Sequence, residues 1–212
     1  TFHARLPAFH EFFSAQNWIW LGVTMATVKV LHEFGHGLSC KHYGGECHEM
    51  GAMLLVFTPA LYCNVSDSWM LPNKWNRAAI GAAGMYVELA IAAVAAIVWS
   101  ETDSGWLNNL CYNAVVMAGF TTLVFNANPL MKFDGYYILS DALALPNLYT
   151  NGQHYLRYCA RRYLLGVPAA LPAWPGGRGL FTRVYGWASF LWRIVTCVSL
   201  TITAVTLFHG AG

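Results

Sequence analysis

From Ala78 to Trp99 the chain reads AAIGAAGMYVELAIAAVAAIVW, an apolar run whose only charge is Glu88. A helix needs about 20 mainly apolar residues to cross a bilayer. Three further stretches reach that length: residues 17–40, beginning NWIWLGVTMATVKVL; residues 109–130, which carry no charge; and residues 184–208, interrupted by Arg193. Only 10% of the 212 residues are charged and 57% are hydrophobic, whereas a soluble domain carries roughly 25% charge to cover its surface. Much of this surface must face something other than water, and lipid is the obvious candidate. The expected fold is an all-α polytopic membrane protein with about four transmembrane helices. Residues 50–65, MGAMLLVFTPALYCNV, are apolar but too short to span and contain Pro59. They suggest a small re-entrant or β element, tolerated at membrane depth only where protein or water shields it.

Charge in the connecting segments sets the orientation. The loop at 100–108 has no Lys or Arg, whereas 41–77 holds Lys41, Lys74 and Arg77, and 131–183 holds Lys132 and five arginines. The positive-inside rule then places 41–77 and 131–183 in the cytoplasm and 100–108 outside. Residues 151–166, NGQHYLRYCARRYLLG, suit a basic helix lying on the inner leaflet or a solvated helix face. Residues 167–179, rich in Pro and Gly, read as irregular. The organisation expected is a core over 1–145, a cytoplasmic basic helix and Pro/Gly-rich loop over 146–183, and a further transmembrane helix over 184–212. The chain reads as a segment of a longer protein. A net charge of +2 excludes an electrostatically driven nucleic-acid partner. Six scattered cysteines, none in a C-x-x-C pair, suggest neither a disulfide scaffold nor a zinc knuckle. The cluster of Cys40, His42, Cys47 and His48 reads as buried thiols and interfacial histidines. Asn64-Val65-Ser66 matches a glycosylation sequon, but in a cytoplasmic loop the match is fortuitous.

Within the first apolar run stands KVLHEFGHGLSCKH, residues 29–42. His32, Glu33 and His36 spell H-E-x-x-H. On a helix the two histidines, four apart, lie on one face within reach of one ion. Zinc takes neutral imidazole nitrogens, and the intervening Glu can accept a proton from the activated water. Ionisable groups inside a membrane segment are a functional hypothesis by default. There are three candidates for the third ligand. His42 has the spacing of the metzincin motif, but Ser39 stands where that motif has the Gly that turns the chain. Glu88 sits mid-span, suited to pairing with a buried cation or to a protonated state. Asp134 follows the run 109–130 at the cytoplasmic end, the depth assigned to His36, and fits best. Lys29 can pair with Glu33 or snorkel. Ala78, Gly81, Ala82 and Gly84 read as small residues that let a helix pack closely.

HEFGH together with NANPLMKFDG, which places Asn126, Pro129, Asp134 and Gly135 in an N-x-x-P-x-x-x-x-D-G pattern, resembles the paired signature of the site-2 protease family of intramembrane zinc metalloproteases. The stretches VKVLHEFGHGLSCKHYGGECHEMG, FTPALYCNVSDSW and MKFDGYYILSD are similar to its peptide zinc metalloprotease branch. The resemblance covers roughly residues 16–145. It implies one zinc ion held by His32, His36 and Asp134, with Glu33 as general base and Asn126 helping to position substrate. It also implies that residues 50–65 offer a sheet edge to an unfolded substrate. One Gly follows the Asp where many members have two. The function implied is hydrolysis of membrane-associated or transmembrane peptides near the cytoplasmic face of a bacterial inner membrane. Two other classes stay open: a membrane component of a peptide export or efflux complex with a structural or vestigial zinc site, and an ion transporter. Against the latter, no pair of broken helices occurs in matching halves.

Overall fold

Ser14 starts the first helix: its hydroxyl accepts from the Asn17 amide, an N-cap that satisfies one of the orphan donors of a helix start. The computed structural model describes residues 14–55, 58–103, 105–171, 174 and 179–209. Helix α1 (Ala15–His42) runs unbroken to Lys41 and His42, whose positions suit the negative end of the helix dipole. A short antiparallel pair follows, β1 (Met50–Leu55) with β2 (Thr58–Cys63), in a register that sets Met50 opposite Cys63. The strand form of the expected re-entrant or β element is therefore the one found. After a 3₁₀ turn at Ser66–Met70, Asn73 caps α2 (Lys74–Glu101) by accepting from the Trp75 amide. Helix α3 (Trp106–Phe120) passes into a π-turn at Thr121–Asn126, and α4 (Asp134–Ala142) follows. Helix α5 (Leu148–Cys159), a second π-turn at Ala160–Leu164 and α6 (Gly179–His209) complete the described chain.

The chain divides into two compact units. One runs to Pro129 and takes in Phe133–Ala142; the other comprises Leu130–Lys132 and the chain from Leu143 onward. In the first unit, α1 and α2 touch backbone to backbone at Gly35, where an added Cβ would lie 3.0 Å from the Ala83 carbonyl oxygen and 2.9 Å from Val87. Small residues allow this approach. Helix α3 is tied back to α1 by an amide pair, Asn113 Nδ2 donating to Asn17 Oδ1 at 2.7 Å. Helix α4 is tied to α2 by Arg77 Nε donating to Asp141 at 2.7 Å and Lys74 Nζ donating to the Ala142 carbonyl at 2.7 Å. In the second unit, α5 and α6 meet at Gly152 and Gly186, whose backbones leave no room for a side chain on either.

The expectation of about four spans needs correction. Among the described residues, two helices are long and apolar enough to cross a membrane, Lys74–Glu101 and Gly179–Thr206. Helix α1 has the length, 28 residues, but Lys29, Glu33, Lys41 and its histidines dilute its apolar character. The run 109–130 is broken: α3 stops after 15 residues, about 22 Å at 1.5 Å per residue against a core of about 30 Å. The helical path then widens into the π-turn at Thr121–Asn126, where Thr121, Thr122 and Asn126 are buried polar residues whose side chains need partners inside the unit. Residues 167–171 carry no regular secondary structure. The rest of the Pro/Gly-rich stretch up to Arg178, apart from Trp174, and Ser104 of the charge-poor loop, lie outside the described residues.

Candidate metal centre

Helical periodicity puts His32 and His36 on one face of α1, and both are buried. Their Nε2 atoms stand 3.0 Å apart. Asp134, the first residue of α4, completes a triangle: Oδ2 lies 3.1 Å from His32 Nε2 and Oδ1 lies 3.5 Å from His36 Nε2. The structure thus brings together His32, His36 and Asp134 from positions about a hundred residues apart. Four donors at about 2.0–2.1 Å around a tetrahedral zinc stand roughly 3.4 Å from one another. The two Asp134 contacts use different oxygens, and one donor atom from each of the three residues lies within 4.8 Å of the others, a spacing one ion can bridge. Burial pushes the Asp134 carboxyl up, but the two imidazoles beside it outweigh this and bring it down to about 2, so the group is a carboxylate.

The other nitrogen of each ring is also committed. His36 Nδ1 donates to the Ile80 carbonyl at 2.8 Å. His32 Nδ1 faces Glu88 Oε1 at 3.1 Å, an ion-pair contact off the line of a straight hydrogen bond. The Ile80 carbonyl fixes the proton of His36 at Nδ1 and turns its Nε2 lone pair toward the cluster, and a proton at Nδ1 of His32 would do the same, the tautomer a metal requires. Glu88 is fully buried. It receives Lys29 Nζ at 2.6 Å, Asn126 Nδ2 at 2.9 Å and the Thr122 hydroxyl. Lys29 therefore pairs with Glu88, neither with Glu33 nor by snorkelling alone. Glu88, though mid-helix, reaches His32 and pairs with a cation, Lys29, that is itself only half-buried.

Gly84 lies against the ring nitrogens. A Cβ there would stand 2.5 Å from both Nε2 atoms, so this hydrogen leaves open the space an ion would fill. Gly135 has a comparable constraint: its Cβ would fall 2.4 Å from the Ala127 carbonyl oxygen, and only glycine lets α4 begin so close to the loop before it. His42 is exposed and packs edge-on against Tyr43, with ring centroids 5.0 Å apart. It takes no part in the cluster.

Glu33 lies one residue from His32 and lines a cavity of about 350 Å³ together with His36, Asp134, Arg77 and Asp141. The end of β2 and the segment behind it, Leu61–Ser66, form the facing wall. Asn126 is buried and is not among the residues lining this cavity; its amide is committed to Glu88. Asn64 accepts from the Ser66 amide and hydroxyl, closing a local turn beside the cavity. Cys47 and Cys63 sit with their sulfurs 3.2 Å apart, unbonded. Burial and the Cys47 contact push the Cys63 thiol up to about 12, which makes it a poor nucleophile. A second group, Glu46, His48 and Asp67, is at the surface. There His48 Nε2 faces Asp67 at 3.3 Å and Nδ1 faces Glu46 at 3.9 Å, so the ring bridges two carboxylates.

Sequence reasoning missed Arg77 and Asp141 at the cavity, and the second role of Gly84. The four-residue spacing of Ile80, Gly84 and Glu88 was the available signal for α2, since it puts all three on one stripe.

No family model matches the chain, and no solved structure matches it. It is similar to the "Putative peptide zinc metalloprotease protein YydH" of Bacillus subtilis (strain 168), 25% identical over 135 residues. That match covers 63% of this chain and 52% of the relative, so the chain spans about half the length of the curated protein it resembles.

Proposed function

We propose that this chain is the catalytic core of a zinc metalloprotease that hydrolyses peptide bonds of membrane-associated or transmembrane peptides. The observation that carries it is the convergence of His32 Nε2, His36 Nε2 and the Asp134 carboxylate, whose Oδ2 lies 3.1 Å from the first and Oδ1 3.5 Å from the second, with His36 Nδ1 held from behind by the Ile80 carbonyl. The printed name of the Bacillus relative supports the same reaction class.

Zinc in such a site acts as a Lewis acid on a carbonyl and makes water acidic enough to attack near neutral pH. His32, His36 and Asp134 would hold the ion. Glu33 accepts the proton of the attacking water and returns it to the leaving amine. Glu88 and the Ile80 carbonyl fix the ring orientations; Asn126 belongs to that layer through Glu88. Substrate positioning by Asn126, taken from the resemblance, would then be indirect. A location within the membrane is supported by the two long apolar helices and by exposed Trp18, Ile19, Val23, Phe34 and Leu38 along α1. Such a bare apolar face marks contact with lipid or protein. With a cytoplasmic-facing site, substrate would unwind locally and lie along the β-hairpin wall.

The test is made on purified, detergent-solubilised protein by metal analysis and peptide cleavage. Wild type and His42→Ala should each hold one zinc, Asp134→Ala should lose it, and Glu33→Gln should keep it while cleaving nothing. Zinc retained by Asp134→Ala and lost by His42→Ala would overturn the ligand set. Full biological activity of Glu33→Gln would move the reading to an export component with a structural zinc.

A further inference from the structure

All acidic side chains of the chain lie at or before Asp141, so residues 143–212 hold six arginines and no carboxylate side chain. Lys132 belongs to the same compact unit and adds another cation. Arg183 and Arg193 both stand in the apolar helix α6, and Arg193 is the one near its middle. Its Nη1 donates to the Tyr149 hydroxyl at 3.3 Å and its Nη2 to Gln153 Oε1 at 3.0 Å. The guanidinium lies 5.8 Å from the Tyr149 ring centroid, and Lys132 Nζ lies 5.0 Å from the same centroid. Two positive charges therefore share one neutral ring, with further neutral groups as partners. Arg193 Nε and the Gln153 amide nitrogen are closed off from water with no acceptor. Unmet buried donors are costly, and cations that share a neutral ring in a unit without carboxylate side chains favour an anion.

Helix α6 indicates what carries that anion. Up to Arg193 it has a buried face, Thr182, Tyr185, Gly186 and Ser189, part of which packs on α5. From Ile194 to Thr206 no residue is charged and none is buried. That bare stretch rises about 20 Å, more than the roughly 15 Å of hydrocarbon in one leaflet. Arg193 thus stands where the covered half of the helix gives way to a bare apolar one, and Lys132 is exposed close by. Cations at the head of an apolar wall match an amphiphile with a negative head and acyl tails. We propose that this unit binds an anionic phospholipid, with the phosphate between Lys132 and Arg193 and an acyl chain along residues 194–206. Free inorganic phosphate shares the headgroup chemistry but would leave the apolar wall bare.

Thermal unfolding of the detergent-solubilised full chain, titrated with phosphatidylglycerol, phosphatidylcholine or inorganic phosphate, tests this. Phosphatidylglycerol should raise the unfolding midpoint saturably, and the effect should shrink with added salt. Phosphatidylcholine and inorganic phosphate at matched concentration should not raise it. Lys132→Gln, at an exposed position, should weaken the phosphatidylglycerol response about five-fold, the worth of one basic residue near an anionic surface. Arg193→Gln should abolish it and Arg193→Lys should keep most of it, while Lys41→Gln in the other unit changes nothing. Should Arg193→Gln not fold, Lys132→Gln alone decides. An unaltered response in Lys132→Gln, or equal stabilisation by phosphatidylcholine, overturns the site. Equal stabilisation by inorganic phosphate overturns its assignment to lipid.

Discussion

Glu88 has no solvent exposure, and it accepts contacts from Lys29, His32, Thr122 and Asn126, which belong to α1 and to the π-turn after α3. A buried carboxylate survives only when paired and hydrogen-bonded, and here the pairing also presses on a metal-binding ring. Outer-shell carboxylates of this kind typically account for ten- to a hundred-fold in metal affinity. We therefore expect Glu88→Gln to weaken zinc binding by about that range, read by competition with a chromophoric chelator. Glu88→Asp, which keeps the charge, should recover part of the loss. Unchanged affinity in a folded Glu88→Gln protein would mean that the carboxylate serves the fold alone. The Lys29–Glu88 pair, at 2.6 Å, makes folding a necessary control, because removing one partner of a buried pair leaves the other charge uncompensated.

At the scale of elements, the centre is made by two helices read against each other. On α1 the positions are 29, 32 and 36; on α2 they are 88, 84 and 80, met in reverse order because the helices run antiparallel. Lys29 and His32 meet Glu88, both histidines meet Gly84, and His36 meets the Ile80 carbonyl. One methyl group at residue 84 would collide with both rings at 2.5 Å. In an isolated helix the change from Gly to Ala is favourable by about 0.5–1 kcal/mol, so the two effects oppose each other. Gly84→Ala should keep its helical circular dichroism yet bind no zinc. Gly81→Ala, whose Cβ would stand 3.3 Å from the flexible Ile138 side chain, should bind zinc normally. Normal zinc binding by Gly84→Ala would show that the rings sit elsewhere in solution.

At the scale of the whole molecule, the proposed membrane location carries an orientation that can be tested. The loop between α2 and α3 lacks Lys and Arg, whereas the segments before α2 and after α3 hold nearly all of them, which favours an outside position for that loop. Asp103 and Lys41 are both exposed, so cysteines placed there are reachable from their own sides. In intact cells, Asp103→Cys should react with an impermeant maleimide above the level of the parent chain, and Lys41→Cys should not. The reverse labelling would put the metal centre on the outer side.

Local pattern was enough for some of this. The i, i+4 spacing of His32 and His36 placed two ligands on one face, because helical geometry is dictated by neighbours in the chain. The alternation of apolar runs with turn residues located α1, α2 and α6, and the short apolar stretch with Pro59 announced a strand pair. The run 109–130 misled, since hydropathy cannot see that Thr121, Thr122 and Asn126 turn inward. Nor does spacing say which carboxylate a lysine will meet: Lys29 lies four residues from Glu33 but is bound to Glu88, 59 positions away. Side-chain periodicity is a property of the segment, so sequence alone determined which faces carry the histidines and which are apolar. Which groups stand behind those histidines, and that Asp134 stands in front, depends on how α1, α2 and α4 pack, and only tertiary structure decides that.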